Sequence, residues 1–94
     1  MVTIFIRHRI KDYTTWKQVF DAFAPQRRAG GEQTYKVTRV GGEPDNLSLV
    51  FEWDTVANAE CFLASAELAV AMQQAGVAEK PEIHIAEELA SGKT

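Results

Sequence analysis

The spacing of apolar residues changes in a fixed order along this 94-residue chain, and that order constrains the fold more than any other feature. Four segments alternate apolar and polar residues with a period of two, which predicts half-buried strands. The segments between the first and second and between the third and fourth have the spacing of amphipathic helices. The predicted strands are residues 2–10, 32–40, 47–53 and 83–86. The order of elements is therefore β-α-β-β-α-β.

The first predicted helix follows Asp12, a residue type that commonly caps a helix N-terminus. Its apolar residues recur every three or four positions, at Tyr13, Trp16, Phe20 and Phe23. Pro25 cannot continue a helix, so we expect a break near Phe23 and a restart of about one turn through Arg28. We expect this restarted turn to end at the glycine pair 30–31.

The second helical segment begins at Asp54 or Thr55, since either residue can cap it. Ser65 supplies a second cap, which predicts that the helix restarts there, and Gly76 marks its end. The residues predicted to face inward are Val56, Ala59, Phe62, Leu63, Leu68, Met72 and Ala75. Between the second and third strands, residues 41–46 are rich in turn formers, which predicts a β-hairpin.

This order of elements is typical of the ferredoxin-like, split βαβ plan, an α+β fold. Right-handed crossovers then give an antiparallel sheet in the spatial order 4-1-3-2, with the helices on one face. Phe5 and other apolar residues fall on the opposite parity, so we expect a sizeable apolar patch on the uncovered face, which a second copy of the chain would cover. We expect residues 1–89 to form a single domain and residues 90–94 to be a frayed tail.

Composition and charge argue against several classes of function. Ten Lys and Arg against thirteen Asp and Glu leave a net charge of −3, and the third strand lacks the basic and aromatic signature of an RNA-recognition module, so we expect no nucleic-acid binding. The apolar start is interrupted at Arg7, so we expect no signal peptide and no membrane association. The lone Cys61 favours a cytoplasmic location. Two histidines and one cysteine provide no metal-ligand set, and we expect neither a metal nor another cofactor.

Three passages carry a family resemblance. They are residues 7–9 running into 12–17 and 20–21, residues 51–54, and residues 62–68 followed by 72–77. The stretch from 2 to 88 resembles the dimeric α+β barrel proteins of the antibiotic-biosynthesis-monooxygenase-like superfamily, in a small and mostly uncharacterised subgroup. The resemblance implies a homodimer whose uncovered sheet faces pack together, and a small-molecule pocket in each subunit between the sheet and its helices.

The resemblance implies a fold rather than one reaction, because the superfamily includes cofactor-free oxygenases, haem-degrading enzymes, polyketide cyclases and small isomerases. Its haem-degrading members use an Asn on strand one and a His on the second helix. Here strand one has no Asn and residues 65–75 contain no His. We therefore do not predict haem degradation.

His8 is the candidate catalytic residue. It shares its parity with Ile4 and Ile6, so its side chain is expected to face the helices near the end of the first strand. Imidazole moves a proton near neutral pH, as a cofactor-free oxygenation or an enolisation requires. The alternative is a structural histidine that hydrogen-bonds to the backbone or to solvent.

His84 lies on the strand predicted to pair with the first, so the two histidines could share a face. If Ile83 and Ile85 join the buried face, His84 points away from it, and we favour this arrangement. The candidate ligand-pocket residues are Tyr13, Trp16, Phe20, Phe62 and Met72. Core packing explains the same spacing, whereas the polar tips of the first two could also meet a ligand.

Two functions fit these observations. The first is a cofactor-independent enzyme of the monooxygenase or cyclase type that acts on an aromatic or enolisable carbonyl compound, with His8 as base and Tyr13 and Trp16 positioning the substrate. The second is a non-catalytic protein that binds a small apolar or aromatic ligand or another partner. Arg28 could reach an anionic ligand, but we expect it to be solvated.

Overall fold

The computed structural model describes residues 1–94 as one antiparallel sheet with helices on one of its faces. The strands are β1 (Val2–Arg9), β2 (Glu32–Arg39), β3 (Asn46–Trp53) and β4 (Glu82–Glu87). The helices are α1 (Tyr13–Ala22), α2 (Ala24–Gly30), α3 (Val56–Leu63) and α4 (Ala66–Gln74). The strand order is β2-β3-β1-β4, and every pairing is antiparallel. This confirms the predicted α+β, ferredoxin-like fold, with each helical segment split in two.

Side-chain caps set the start of three helices. The Asp12 carboxylate accepts a hydrogen bond from the Thr15 amide at 2.9 Å. The hydroxyls of Thr55 and Ser65 accept the amide of the third residue along in the same way, so Thr55 rather than Asp54 caps α3. Helix α2 has no side-chain cap and carries its proline in the first turn, where a missing N–H costs no helical hydrogen bond.

The core lies between the helices and the covered face of the sheet. On β1 the side chains alternate, and Ile4 and Ile6 are buried as the period of two predicts. Trp53, at the end of β3, is 1% exposed, and its indole N–H donates to the Gly30 carbonyl at 2.9 Å. The next glycine, Gly31, has φ +124°, and a Cβ there would collide with a neighbouring carboxylate, so only glycine fits this close approach.

A bulge changes the direction of side chains at the start of β2. The register shifts between Glu32 and Thr34, so that Glu32 lies opposite Trp53 and Tyr35 lies opposite Phe51. In a regular strand two residues three positions apart point to opposite faces. The extra residue instead places Glu32 and Tyr35 on the same, helix-covered face.

The uncovered face of the sheet is more polar than predicted. Its apolar residues are Phe5, which is 44% exposed, with Val50 beside it and Ala86 on β4. An ion pair between Arg7 and Glu82, at 2.6 Å, crosses the same face. Strand β2 contributes only Thr34, Lys36 and Thr38. The apolar patch on the uncovered face is therefore smaller than expected, because the apolar residues of β2 face the helices.

The chain ends in a segment without regular structure. Residues 88–94 contain no helix or strand, and Leu89 is 97% exposed. The domain boundary at residue 89 and the fraying of 90–94 stay predictions. No helix reaches the length and apolar character needed to cross a membrane.

Candidate functional site

A cavity of about 60 Å³ lies between the sheet and the helices. Eighteen residues line it, and sixteen of them are hydrophobic; the exceptions are His8 and Arg27. The volume accommodates a few water molecules and is less than half that of an engineered cavity of about 150 Å³ known to bind benzene. Half-buried lining residues, among them Val19, Leu68 and Met72, leave it open on the helix side. The site therefore suits a small, mostly apolar molecule.

His8 is a buried histidine without a hydrogen-bond partner. Its side chain is on the helix-covered face, as predicted, and the residue is 5% exposed. Neither ring nitrogen has a hydrogen-bond partner among the protein's own groups, which is unusual for a buried polar group. The ring meets Trp16 edge-on, with 5.9 Å between the centroids. A histidine tied to the backbone is therefore excluded, and one N–H donor and one lone pair remain available to a ligand.

The surroundings of His8 keep its imidazole neutral. Burial lowers the pKa of His8 to about 4, because the apolar lining does not solvate the charged form. At neutral pH the ring therefore has an unprotonated nitrogen that can accept a proton. No opposite charge contributes to this pKa.

The second histidine lies on the other face of the sheet. His84 is opposite Phe5 in the β1–β4 register, whereas Ile83 and Ile85 are opposite the buried residues of β1. This confirms the arrangement favoured from the sequence. The cavity therefore contains a single histidine.

Four of the five predicted pocket residues line the cavity. Trp16 is 2% exposed and stacks on Phe20, with 4.8 Å between the ring centroids. Phe62 and Met72 contribute from α3 and α4. Tyr13 does not line this cavity: its ring stacks on Trp16, with 5.9 Å between the centroids. As the first residue of α1, it lies one turn before the cavity wall and is 37% exposed.

Arg27 is the site residue that sequence reasoning missed. It is 4% exposed, and its Nε donates to Glu32 Oε1 at 2.8 Å while Nη1 donates to the Phe20 carbonyl. Its guanidinium carbon lies 3.7 Å from the centroid of the Phe20 ring. Arg28, which sequence reasoning considered instead, is exposed as expected. The signal was present, since Arg27 follows Phe23 by four residues and continues the inward stripe of the first helix.

The carboxylate beside Arg27 is held in an unfavourable environment. Burial raises the pKa of Glu32, and the Arg27 guanidinium opposes that rise by Coulomb attraction and a hydrogen bond. Removing both charges from water costs free energy, and the attraction between the two charges does not easily compensate for this cost. The ion pair is therefore weak evidence that these residues serve only to stabilise the fold. The pair places a cation in the wall of a cavity that is otherwise apolar.

The site contains neither a metal-ligand set nor an assembled nucleophile. No three His, Cys, Asp or Glu side chains converge anywhere in the chain. Cys61 is exposed. What the arrangement offers is a neutral imidazole, a buried guanidinium and an apolar wall.

Comparison with known proteins shows the fold. No protein-family model and no curated protein sequence matches the chain. Among solved structures, a Bordetella bronchiseptica protein to which antibiotic biosynthesis monooxygenase activity is ascribed superimposes with a TM-score of 0.77 at 20% identity, over 95% of this chain and 97% of that one. SnoaB, a cofactor-independent oxygenase from Streptomyces nogalater, gives a TM-score of 0.76 at 14% identity, over 96% and 94%. A protein of unknown function from Nitrosomonas europaea, NE2512, gives 0.72 at 17%, over 99% and 93%.

These matches show that the chain has the same fold as these solved structures. Fold alone does not specify a reaction, because one fold supports many functions.

Proposed function

We propose that the protein is a cofactor-independent enzyme of the monooxygenase or cyclase type, in which His8 takes a proton from a small aromatic or enolisable carbonyl compound bound in the cavity. The observation that carries this proposal is a buried, neutral imidazole with no partner in a nearly apolar cavity. The shared fold with a cofactor-independent oxygenase supports it.

The proton moves from the substrate to the free nitrogen of the imidazole. The donor is the O–H of a phenol or the C–H beside a carbonyl, and the products are a phenolate or enolate and an imidazolium. The two new charges form an ion pair, and their attraction compensates for the apolar surroundings that otherwise keep His8 neutral. In the monooxygenase reaction the enolate reduces dioxygen: the CH₂ group that lost the proton becomes C=O, and the second oxygen atom leaves as water, which takes up the proton held by His8. A phenolate reacts in the same way at a ring C–H, which gives a quinone and water. In a cyclase reaction the enolate attacks a second carbonyl, and no oxidant is needed.

Replacing the base tests this proposal. We expect His8→Gln to lower turnover by about 10²-fold, because glutamine keeps a hydrogen-bonding group but cannot accept the proton. Candidate substrates are a panel of small phenols and cyclic ketones. Turnover is read as dioxygen uptake and as loss of α-hydrogen NMR signals in D₂O, which also detects enolisation without oxygen.

The matched control is His84→Gln, which changes the histidine on the opposite face and should leave turnover unchanged. A substrate that is turned over equally fast by His8→Gln would show that His8 is not the base. The apolar lining also favours the alternative of a non-catalytic ligand-binding protein. That alternative predicts that panel compounds bind without being converted.

We also propose that the chain forms a homodimer through the uncovered face of the sheet. A twofold axis brings the same residues of two copies together, so a self-complementary surface is required. The apolar centre at Phe5 and Val50 is flanked by charges of both signs, including Lys36 and Glu52, which meets this requirement. A cytoplasmic location remains a prediction, consistent with an exposed, unpaired Cys61.

We expect the dimer to persist at low micromolar concentrations and Phe5→Glu to convert it to a folded monomer, because the substitution places a like charge from each copy at the apolar centre. Analytical ultracentrifugation and native mass spectrometry measure the outcome. The control is Val70→Glu on α4, an apolar residue that is 52% exposed on the helical layer, which should leave the dimer intact. A wild-type monomer at these concentrations would contradict the proposal.

A further inference from the structure

Arg27 is the only cation in the lining of the cavity, and its hydrogen bonds do not exhaust its donors. A guanidinium has five N–H groups. One at Nε is used by Glu32 and one at Nη1 by the Phe20 carbonyl, so three have no acceptor within the protein. Both existing bonds hold the group in place against the Phe20 ring. Arg27 is therefore rigidly positioned and still able to donate.

The two polar groups of the cavity are connected by one aromatic wall. The His8 ring is nearly perpendicular to Trp16, Trp16 stacks on Phe20, and the Arg27 guanidinium lies over the Phe20 ring. A ligand that lies in the cavity beside this stack of rings therefore has an imidazole toward one end and a guanidinium toward the other. Such a wall gives a ligand one favoured orientation when its two ends differ in charge.

We infer that Arg27 recognises an acidic group and that the ligand is a small organic acid, with its carboxylate at Arg27 and its apolar or enolisable part along Trp16 and Phe20 toward His8. Guanidinium groups bind carboxylates through charge-assisted hydrogen bonds, which are stronger than neutral ones and gain further in a site with little water. The cavity of about 60 Å³ restricts the ligand to an acyclic acid or one with a single ring that extends through the open side.

The orientation of the ligand toward His8 rests on the proposed function, but the test of this inference measures binding rather than turnover. The probes are benzoate and benzamide, which have nearly the same shape and differ in charge. Both tryptophans of the chain, Trp16 and Trp53, line the cavity, so their two indole N–H signals in a ¹⁵N NMR spectrum report entry of either probe. Titration into the millimolar range gives the two dissociation constants.

We expect the wild-type protein to bind benzoate at least about tenfold more tightly than benzamide, because only benzoate forms the charge-assisted pair. Replacing both members of the buried pair, in Arg27→Met with Glu32→Gln, should bring the ratio close to one while avoiding an unpaired buried charge. The matched control is Arg28→Met, which removes the same charge from the neighbouring, exposed position and should preserve the ratio.

Glu32→Gln alone provides a test that does not require loss of Arg27. It leaves the guanidinium uncompensated, so benzoate affinity should rise severalfold while benzamide affinity stays the same. A wild-type protein without preference for benzoate overturns the inference, and so does a folded double variant that keeps the preference. If the double variant does not fold, unchanged or weaker benzoate binding by Glu32→Gln overturns it. Failure of His8→Gln to slow turnover would refute the proposed base and leave these binding ratios unaffected.

Discussion

Lowering the pH from 7 to 4 is expected to reduce the free energy of unfolding by about 3 kcal/mol through His8 alone. Burial lowers the pKa of this histidine from 6.5 to about 4 in the folded protein. Between these two values the unfolded chain binds a proton at His8 and the folded protein does not. Stability therefore falls as the pH falls through this window, and each pKa unit is worth about 1.4 kcal/mol.

The measurement is urea unfolding at several pH values between 7 and 4 for the wild type and for His8→Leu. Leucine fills the buried position and does not titrate. Between pH 7 and pH 4 the free energy of unfolding of the variant should therefore rise by about 3 kcal/mol relative to that of the wild type. Other ionisable groups, including Glu32, are present in both proteins and cancel in the comparison. Identical pH dependence of the wild type and His8→Leu would mean that His8 is not held neutral by burial.

Truncation of Phe20 is expected to lower the free energy of unfolding by about 3 to 5 kcal/mol. The ring is 9% exposed and lies within 4.8 Å of the Trp16 ring and 5.1 Å of the Tyr35 ring, measured between centroids. It also provides the surface on which the buried Arg27 guanidinium rests. Phe20→Ala therefore removes core contacts, enlarges the cavity and exposes one side of a buried charge.

Urea denaturation at pH 7 measures this loss, with Leu89→Ala as the control. Leu89 is 97% exposed, and its truncation should change stability by no more than about 0.5 kcal/mol. A loss of less than about 0.5 kcal/mol for Phe20→Ala would show that the inward face of α1 is assigned incorrectly.

The fold was predictable because local signals agree with each other over most of the chain. The period of two on β1 identifies the buried face, and caps at Asp12, Thr55 and Ser65 lie where the helical spacing begins. Chirality rules then leave few ways to connect six elements. Because His8 shares the parity of the buried residues of β1, its place on the covered face was predictable as well.

The sequence does not show that Tyr13 lies outside the cavity lining or that Arg27 lies in it, and the reason is the same for both residues. Helical spacing defines a stripe of inward residues but does not say where a cavity begins and ends along it. Tyr13 is at the outer end of that stripe, whereas Arg27 continues it into α2. A charged residue in such a position is usually assigned to the surface, and only a buried partner makes its burial tolerable.

The order of the elements, the topology of the sheet and the face on which His8 lies follow from periodicity, caps and chirality, which are local properties of the chain. Three features of the site do not follow from them: His8 has no hydrogen-bond partner within the protein, a bulge in β2 brings Glu32 onto the covered face, and Arg27 is buried beside it. These features depend on contacts between residues distant in the chain and on a one-residue shift of register, which reverses the direction of a side chain without changing the pattern of the sequence.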